Sequence, residues 1–295
     1  MTKRIFYLLD VFAESKYTGN QLAVLKDARK LSDEDMLKIA KEMNYSETTF
    51  IIPEKKADGG YDVRIFTPAE EVPFAGHPTL GTAFIINQEI DSGHEKKILL
   101  NLKVGQIPVS LKYTGNKVNF LQMKQNSPEF LSVLNKNHIA MALNLSPVDI
   151  DPGFPVQEVS TGLPFIIVPL ISLDAVKRAE INKNLFFELV KETTAKAILL
   201  FCPDTYENDN DLNARAFVDY YGIPEDPATG SGNGCLAGYL VKHKYFGSNK
   251  IKVHVEQGYE IGRPSRLTLV AEARKDRIEI FVGGKVIMVA KCELL

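Results

Sequence analysis

The sequence predicts an α+β protein built from two duplicated lobes, each with a mainly antiparallel sheet. Two observations carry this prediction: a repeat about half a chain apart, and many short strand-like runs beside few helical stretches. The length of 295 residues suits about two domains. A chain of this size buries a sizeable core without disulfide staples.

Three short signals recur in the same order in both halves. They are residues 18–25 and 161–168, residues 64–66 and 215–217, and residues 77–82 and 226–231. Their offsets are 143, 151 and 149 residues. Each match alone is weak, but the shared order favours a duplicated domain. The last match places His77 and Asp226 at equivalent positions.

Local patterns predict the individual elements. Residues 33–43 carry apolar side chains at helical spacing, and Ser32 with Asp35 forms a capping pair before them. Most other apolar runs are short, β-branched or alternating, which is typical of strands. Turns at 114–116 and 283–284 predict two hairpins.

The polar stretch at 122–130 predicts the boundary between the lobes because it contains Pro128 and few apolar residues. The N-terminal lobe then covers residues 1–122 and the C-terminal lobe residues 123–295. A last strand at about 285–295 could cross back to the first lobe.

Composition and charge exclude several functional classes. Apolar residues make up 45% and charged residues 24%, and the net charge is -2. This balance provides no basic surface for nucleic acid or for an anionic membrane. No apolar run approaches the roughly 18 residues of a membrane span, and the N-terminal apolar stretch ends at Asp10, too early for a signal peptide. We expect a cytoplasmic protein with no nucleic-acid or membrane partner.

Three cysteines, Cys202, Cys235 and Cys292, indicate a reducing compartment rather than a disulfide framework. The sequence has no CxxC, no HExxH and no close His/Cys pair, so we expect no metal site. It also lacks the common glycine-rich nucleotide-binding loops, and we expect no cofactor.

His77 and Asp226 each precede a proline and a run that turns helical. Because proline is favoured at the first helical position, both side chains are predicted at or beside the N-caps. Nearby glycines allow close backbone approach, and the positive end of a helix attracts anions. Both helix starts are then expected to face one small acid in the interdomain cleft. The alternatives are that Asp226 only caps its helix and that His77 is structural.

Glu47 is a candidate proton carrier because it enters the apolar strand 48–52 directly after a helix. A carboxyl group in such a place is expected to be partly buried, and burial raises the pKa of a carboxyl toward neutrality. The alternative is a solvated loop carboxylate. We assign that alternative to Glu42, Glu70 and Glu71.

Four ordered motifs resemble those of the PhzF-like family, named for a phenazine biosynthesis protein. They are residues 10–12 with 19–24, residues 46–50 around Glu47, residues 74–81 around His77, and residues 225–231 around Asp226. The resemblance spans essentially the whole chain. The run 232–235, Gly-Asn-Gly-Cys, departs from the alanine-rich helix start expected in the family.

The resemblance implies a fold similar to diaminopimelate epimerase, with two pseudo-symmetric lobes that each wrap a sheet around a central helix. It also implies a homodimer. The implied activity is a cofactor-independent isomerisation, in which a proton moves between two carbons of a small cyclic or unsaturated carboxylic acid.

By the same resemblance, Glu47 takes the proton and returns it, while His77 and Asp226 orient the substrate. Backbone N–H groups around the two helix starts hold its carboxylate near residues 76–81 or 229–232 and stabilise developing charge. The implied substrate-binding residues are Asn20, Gly76, Thr229, Gly230, Ser231 and Gly232.

Two other functions remain open. One is a cofactor-independent racemase or epimerase on the same fold, a chemistry that resembles a two-cysteine mechanism. His77 and Asp226 take the places of those cysteines, and Cys235 has no cysteine counterpart in the first half. The other is a non-catalytic small-molecule-binding or scaffolding protein.

Overall fold

The computed structural model describes residues 4–91 and 94–294. They form two compact units. The first unit runs to Lys124 and takes in the chain again from Gly283, and the second runs from Gln125 to Val282. Leu295, where the predicted last strand ends, lies outside the described residues, as do residues 1–3 of the first lobe.

The first unit is a mainly antiparallel sheet. Its strands are β1 (Arg4–Val11), β2 (Asn20–Leu25), β3 (Thr48–Lys55), β4 (Tyr61–Phe66), β5 (Glu71–Val72), β6 (Lys97–Leu102), β7 (Gly105–Thr114), β8 (Lys117–Gln125) and β18 (Val286–Leu294). They pair in the order β18, β1, β2, β3, β4, β6, β7, β8, and β5 also pairs with β4. Only the β2–β3 and β4–β6 pairs of this series are parallel.

Helix α2 (Gly76–Glu89) fills the centre of the first unit. It packs against β1, β2, β3 and β6, and every residue from Gly76 to Asn87 is buried. A helix that is covered all round needs apolar or small residues on every face, which the sequence supplies. Helix α1 (Asp33–Met43) instead buries one face on β3 and β4 and begins with the predicted capping box of Ser32 and Asp35.

The second unit repeats this plan. Its strands are β9 (Glu129–Val133), β10 (Gln157–Ser160), β11 (Pro164–Pro169), β12 (Ile198–Cys202), β13 (Leu212–Val218), β14 (Ile223–Asp226), β15 (Lys250–Gln257), β16 (Ser265–Arg274) and β17 (Arg277–Gly284). The strands from β9 to β13 pair in chain order, β13 also pairs with β14 and with β15, and β15 pairs with β16. The β11–β12 and β13–β15 pairs are parallel, at the places equivalent to the parallel pairs of the first unit.

The second unit has four helices among its described residues: α3 (Lys136–Ala142), α4 (Leu173–Arg178), α5 (Lys183–Lys191) and α6 (Gly230–Lys242). Two short 3₁₀ turns lie at Pro147–Asp149 and Asp219–Tyr221. Helix α6 is buried like α2 and packs against β10, β11, β12, β15 and β16. The other three helices help to enclose a second apolar core on the far side of β11 and β12.

Strand register determines which residues of the two units are equivalent. Phe66 lies opposite Glu71 across β4 and β5, and Phe217 lies opposite Glu225 across β13 and β14. Because Phe66 and Phe217 are matched in the repeat, Glu71 corresponds to Glu225, an offset of 154 residues.

An arginine–carboxylate pair recurs at this place in both units. Arg64 donates to both carboxylate oxygens of Glu71, at 2.8 and 2.7 Å. Arg215 donates to both oxygens of Glu225, at 3.0 and 2.7 Å. The interpretation of Glu71 as a solvated loop carboxylate is therefore wrong: its side chain is 11% exposed and tethers β5 to β4.

The helix starts differ from the prediction. The N-caps are Ala75 for α2 and Thr229 for α6, again 154 residues apart. His77 is thus the second residue of α2, whereas Asp226 ends β14 three residues before the N-cap of α6. Neither Pro78 nor Pro227 is the first helical residue, because Gly76 and Gly230 occupy that position.

The predicted equivalence of His77 and Asp226 is consequently wrong. At the observed offset His77 corresponds to Ser231, and Asp226 corresponds to Val72. The short sequence match combined a helix residue with a strand residue, since similar composition does not reveal where a strand ends and a helix begins.

One predicted hairpin is confirmed and the other is wrong. Gly115 and Asn116 connect β7 to β8, and Gly115 has the positive φ of 59° that such a turn requires. Gly283 and Gly284 instead lie within β17, and the next strand, β18, pairs with β1. A Cβ atom on Gly283 would lie 2.5 Å from the carbonyl oxygen of Leu121, so this glycine permits close backbone approach.

Candidate active site

Glu47 lies one residue before β3. Helix α1 ends at Met43, and the left-handed backbone of its C-cap residue Asn44 (φ 52°) turns the chain toward that strand. The side chain of Glu47 is 19% exposed, so its carboxylate is partly buried, as the sequence predicts. The neighbouring Glu42 and Glu70 are exposed.

His77 meets Glu47 within the first unit. The Nε2 atom of His77 lies 3.5 Å from Oε2 of Glu47, and the imidazole is 6% exposed. Burial lowers the pKa of His77 to about 3, because a charged imidazolium loses its hydration there. His77 is therefore neutral at physiological pH.

The tautomer of His77 follows from its other contact. A hydrogen bond with the backbone of Gln21 acts to raise the pKa of His77, so a ring N–H donates to that backbone carbonyl. Nε2 makes no hydrogen bond among the described residues, which leaves Nδ1 as the donor. The bare Nε2 is then an acceptor that faces the Glu47 carboxyl group. Sequence reasoning did not identify Gln21, because a backbone contact leaves no side-chain signal.

Gly76 and Asn20 are the sequence neighbours of the two residues in this hydrogen bond, His77 and Gln21. Gly76 is the first, buried residue of α2 and precedes His77 directly. Asn20 is the first residue of β2, precedes Gln21 and is almost fully buried. Ala75 at the N-cap cannot accept a hydrogen bond through its side chain, so it leaves the first turn of α2 uncapped.

Asp226 ends β14 in the second unit and is buried. Alternation along the strand separates it from Glu225, which binds Arg215. The Thr229 hydroxyl donates to Oδ2 of Asp226 at 2.6 Å. Thr229 is the N-cap residue of α6, yet its side chain makes no capping bond. The alternative that Asp226 caps this helix is wrong, since Thr229 occupies that position.

Two further polar residues support this corner and were missed by sequence reasoning. Gln257 and Asn233 have no exposed surface, and both bond to Thr229. Gln257 lies at the end of β15, far along the chain from the Asp226 motif, so only strand pairing brings it there. Asn233 belongs to the run that departs from the family pattern.

The remaining predicted residues form the first turn of α6. Gly230 is its first residue, Ser231 is half-buried beside it, and Gly232 is buried. A Cβ atom on Gly232 would lie 3.0 Å from Leu199 Cδ1, so this glycine allows close packing of α6 on β12. The structure thus brings Glu47 and His77 together in the first unit, and Asp226 and Thr229 together in the second.

The three cysteines are free thiols. Burial raises the pKa of Cys235 to about 11 and that of Cys202 to about 12, so both are protonated at neutral pH. The described ranges contain no group of three His, Cys, Asp or Glu side chains suited to hold a metal ion. Across the same ranges, no helix has the length and apolar character needed to span a membrane.

Comparison with known proteins relates this chain to named isomerases. Residues 9–292 match the family model described as phenazine biosynthesis-like protein. An uncharacterized isomerase of Clostridium acetobutylicum is 32% identical over 98% of this chain and 97% of its own length. A trans-2,3-dihydro-3-hydroxyanthranilate isomerase of Pseudomonas aeruginosa is 32% identical over 92% of each chain.

Solved structures agree with these relatives. A PhzF-family phenazine biosynthesis protein of Bacillus anthracis superposes over 100% of both chains with a TM-score of 0.90 and 28% identity. A hydroxyproline epimerase of Agrobacterium vitis shares the fold alone, with a TM-score of 0.65 and 8% identity over 100% of this chain and 91% of its own. The predicted epimerase-like fold and the predicted class, an isomerase, are confirmed. The chain belongs to the PhzF family of phenazine biosynthesis-like proteins.

Proposed function

We propose that this protein catalyses a cofactor-independent proton shift between two carbons of a small, unsaturated or cyclic carboxylic acid. Glu47 is the proton carrier: its carboxylate removes a proton from one carbon and returns it to another, so atoms and charge balance over the cycle. The contact between Glu47 and the neutral His77 is the observation that carries this proposal.

The neutral state of His77 suits this role. While Glu47 holds the proton, its O–H can donate to the bare Nε2 atom when the present separation of 3.5 Å shortens to hydrogen-bond distance. When Glu47 gives the proton to carbon, Nε2 carries no charge that would trap the carboxylate as an ion pair. His77 therefore supports the protonated carboxyl without charging, and once Glu47 has given up its proton the same Nε2 lone pair can accept a hydrogen bond from the substrate.

The other predicted residues bind and orient the acid. Asp226 accepts a hydrogen bond from a polar group of the substrate, while backbone N–H groups of Gly76, Gly230 and Ser231 bind its carboxylate. Asn20, Thr229 and Gly232 shape these positions. The uncapped first turns of α2 and α6 favour an anion, because neither N-cap side chain occupies the N–H groups.

A racemase with two catalytic cysteines fits less well. Cys235 is buried and protonated, and its equivalent in the first unit is Gly81 at the offset of 154 residues. A glycine cannot supply the second thiol. A non-catalytic binding protein would have no use for a carboxylate held against a neutral imidazole.

The test replaces Glu47 with glutamine, which keeps the shape and removes the base. Trans-2,3-dihydro-3-hydroxyanthranilate, the compound in the name of one relative, is the first probe, followed by other small cyclic unsaturated acids. Turnover and deuterium incorporation are followed in heavy water. We expect Glu47→Gln to lose at least about 10²-fold in rate with little change in melting temperature.

Glu42→Gln is the matched control, since Glu42 is an exposed carboxylate on α1 only a few residues away. It should behave as the wild type. Near-normal turnover by Glu47→Gln would remove Glu47 from the mechanism. Absence of proton exchange with every acid in the wild type would contradict the proposed reaction.

We also propose that the enzyme works in the cytoplasm as a homodimer, without nucleic-acid or membrane partners. The family resemblance and the nearly balanced charge support this proposal. Sedimentation of the purified protein should give twice the chain mass, and turnover should persist after dialysis against a chelator. A monomer, or activity restored only by an added cofactor, would contradict it.

A further inference from the structure

Gln257 is a fully buried amide at the end of β15. An amide side chain taken out of water costs free energy unless all its polar atoms find partners. Gln257 meets this requirement with four hydrogen bonds. Its Nε2 donates to the backbone carbonyl of Asp226 at 2.7 Å and to Thr229 Oγ1 at 3.0 Å. Its Oε1 accepts from Thr229 N at 3.3 Å and from Asn233 Nδ2 at 2.8 Å.

These four bonds fix the orientation of the Gln257 amide and the direction of the Thr229 hydroxyl. Rotating the amide by half a turn would point its donors at the Thr229 N–H and the Asn233 amide, so only one orientation is satisfied. Because Thr229 Oγ1 accepts from Gln257, its own proton is directed to Oδ2 of Asp226 at 2.6 Å. The carboxylate is thus held by a hydrogen bond to a charged acceptor, the stronger class of such bonds.

The equivalent corner of the first unit is built without this network. The register of β4 with β6 and of β13 with β15 makes Leu102 the equivalent of Gln257. Ala75 replaces Thr229, and Val72 replaces Asp226. Three apolar residues therefore suffice for the same junction of strand and helix. The fold therefore does not require the hydrogen-bond network around Gln257, which accompanies Asp226.

We propose that Gln257 is a positioning residue that orients the Asp226 carboxylate through the hydroxyl of Thr229. The inference rests on the proposed function, in which Asp226 binds a polar group of the substrate. Gln257 does not itself touch the reacting atoms.

The test begins with Gln257→Leu, which installs the residue type of the equivalent Leu102. We expect kcat/KM to fall roughly tenfold to hundredfold, mainly through KM, since one hydrogen bond to a charged group loses its orientation. Thr229→Val should show the same loss, and the double variant should lose no more than either single variant. Thr229→Ser, which keeps a hydroxyl, should retain more activity than Thr229→Val.

Gln157→Leu is the matched control. Gln157 is a buried glutamine of the same unit, in β10, and bonds to the Leu131 carbonyl and to His243. It should lower the melting temperature without changing kcat/KM. A merely structural role for Gln257 would make the two variants behave alike.

The decisive comparison uses an Asp226→Asn background. If Gln257 acts only through Asp226, Gln257→Leu should cause no further loss there. An equal loss in both backgrounds, or a folded Gln257→Leu with wild-type kcat and KM, would overturn the proposal.

Crystal structures of the variants separate this proposal from the proposed function. In Gln257→Leu and Gln257→Glu, the Thr229 hydroxyl should leave Asp226 and the carboxylate should move from its present place. An unmoved Asp226 would overturn the positioning role even if the wild type turned over none of the acids. Absence of turnover in the wild type would instead contradict the proposed reaction, while the structures still decide the role of Gln257.

Discussion

The first turns of the two buried helices have the same backbone plan and different chemistry. Thr79 donates its hydroxyl to the carbonyl of Ala75 in α2, and Asn233 donates its amide to the carbonyl of Thr229 in α6, 154 residues away. On this shared plan, α2 carries His77, while α6 carries Ser231 at the equivalent position. The two units therefore share the main-chain arrangement and differ in the side chains at equivalent positions.

The strands also combine a shared backbone arrangement with different side chains. Asn101 donates to Asp62 in the first unit, and in the second the equivalent pair is reversed, with Asn213 donating to Glu256. The link between geometry and residue type is therefore loose: the contact persists while donor and acceptor exchange places. Glu47 has no such counterpart, because the register of β3 and β12 places the buried Ala197 there. The proposed proton carrier is specific to the first unit.

The largest expected difference between the units is in the unfolding free energy lost when the arginine of each Arg–Glu pair is replaced. Arg215 and Glu225 are 10% and 7% exposed, and Arg215 also donates to the carbonyls of Val176 and Ala179. Arg215→Met should therefore cost about 3–5 kcal/mol of unfolding free energy, as expected when one partner of a buried pair is removed.

Arg64→Met should cost less, about 1–3 kcal/mol. Its carboxylate partner Glu71 keeps a second cation, Lys103, at 2.6 Å, and Arg64 is 27% exposed. Denaturant unfolding of both variants provides the comparison. Equal losses, or a larger loss for Arg64→Met, would show that burial does not distinguish the two pairs.

The second difference between the units is in how stability depends on pH. Burial lowers the pKa of His77 from the ordinary 6.5 to about 3, and its equivalent, Ser231, does not titrate in this range. Between pH 6.5 and 3 the unfolded chain therefore binds a proton at His77 that the folded protein does not bind. The free energy of unfolding is consequently at its full value above pH 6.5 and decreases as the pH falls below it. Between pH 7 and pH 5 the expected loss is about 2 kcal/mol.

Replacing the imidazole tests this expectation. His77→Asn should lose less stability than the wild type between pH 7 and pH 5, by about the same 2 kcal/mol. Nitrogen NMR of the wild type should show an unprotonated Nε2 throughout this interval. A titration of His77 centred near pH 6.5 would contradict both the burial argument and the assigned tautomer.

The smallest expected effect is at Cys235, where the first unit has Gly81. The Cys235 thiol approaches Thr161 Oγ1 at 3.8 Å and donates to the Leu163 carbonyl at 3.5 Å, so it packs within the core. Cys235→Ala should cost about 1 kcal/mol of unfolding free energy and leave kcat/KM unchanged. Complete loss of turnover in a folded variant would favour the racemase alternative. Thiol labelling should find Cys292 more reactive than the two buried thiols.

Local sequence patterns were sufficient to predict several features of this protein. The capping box before α1, the turn between β7 and β8 and the partial burial of Glu47 depend on neighbouring residues, and each was predicted. The four motifs also identified the family, because their residues are close in sequence. The turn at 283–284 was predicted wrongly, since two glycines indicate either a turn or a close backbone approach, and only the partner strand distinguishes these.

The amino-acid sequence by itself determined the duplicated α+β plan, the isomerase family and the candidates Glu47, His77 and Asp226. Only the tertiary structure decided that His77 is matched by Ser231, that Glu71 is an ion-pair partner and that Gln257 is hydrogen-bonded to Thr229. The physical reason is the same in each case. Loops of different length separate the elements of the two units, so residue equivalence and long-range hydrogen bonds are set by strand register, which hydrogen bonding between distant segments determines.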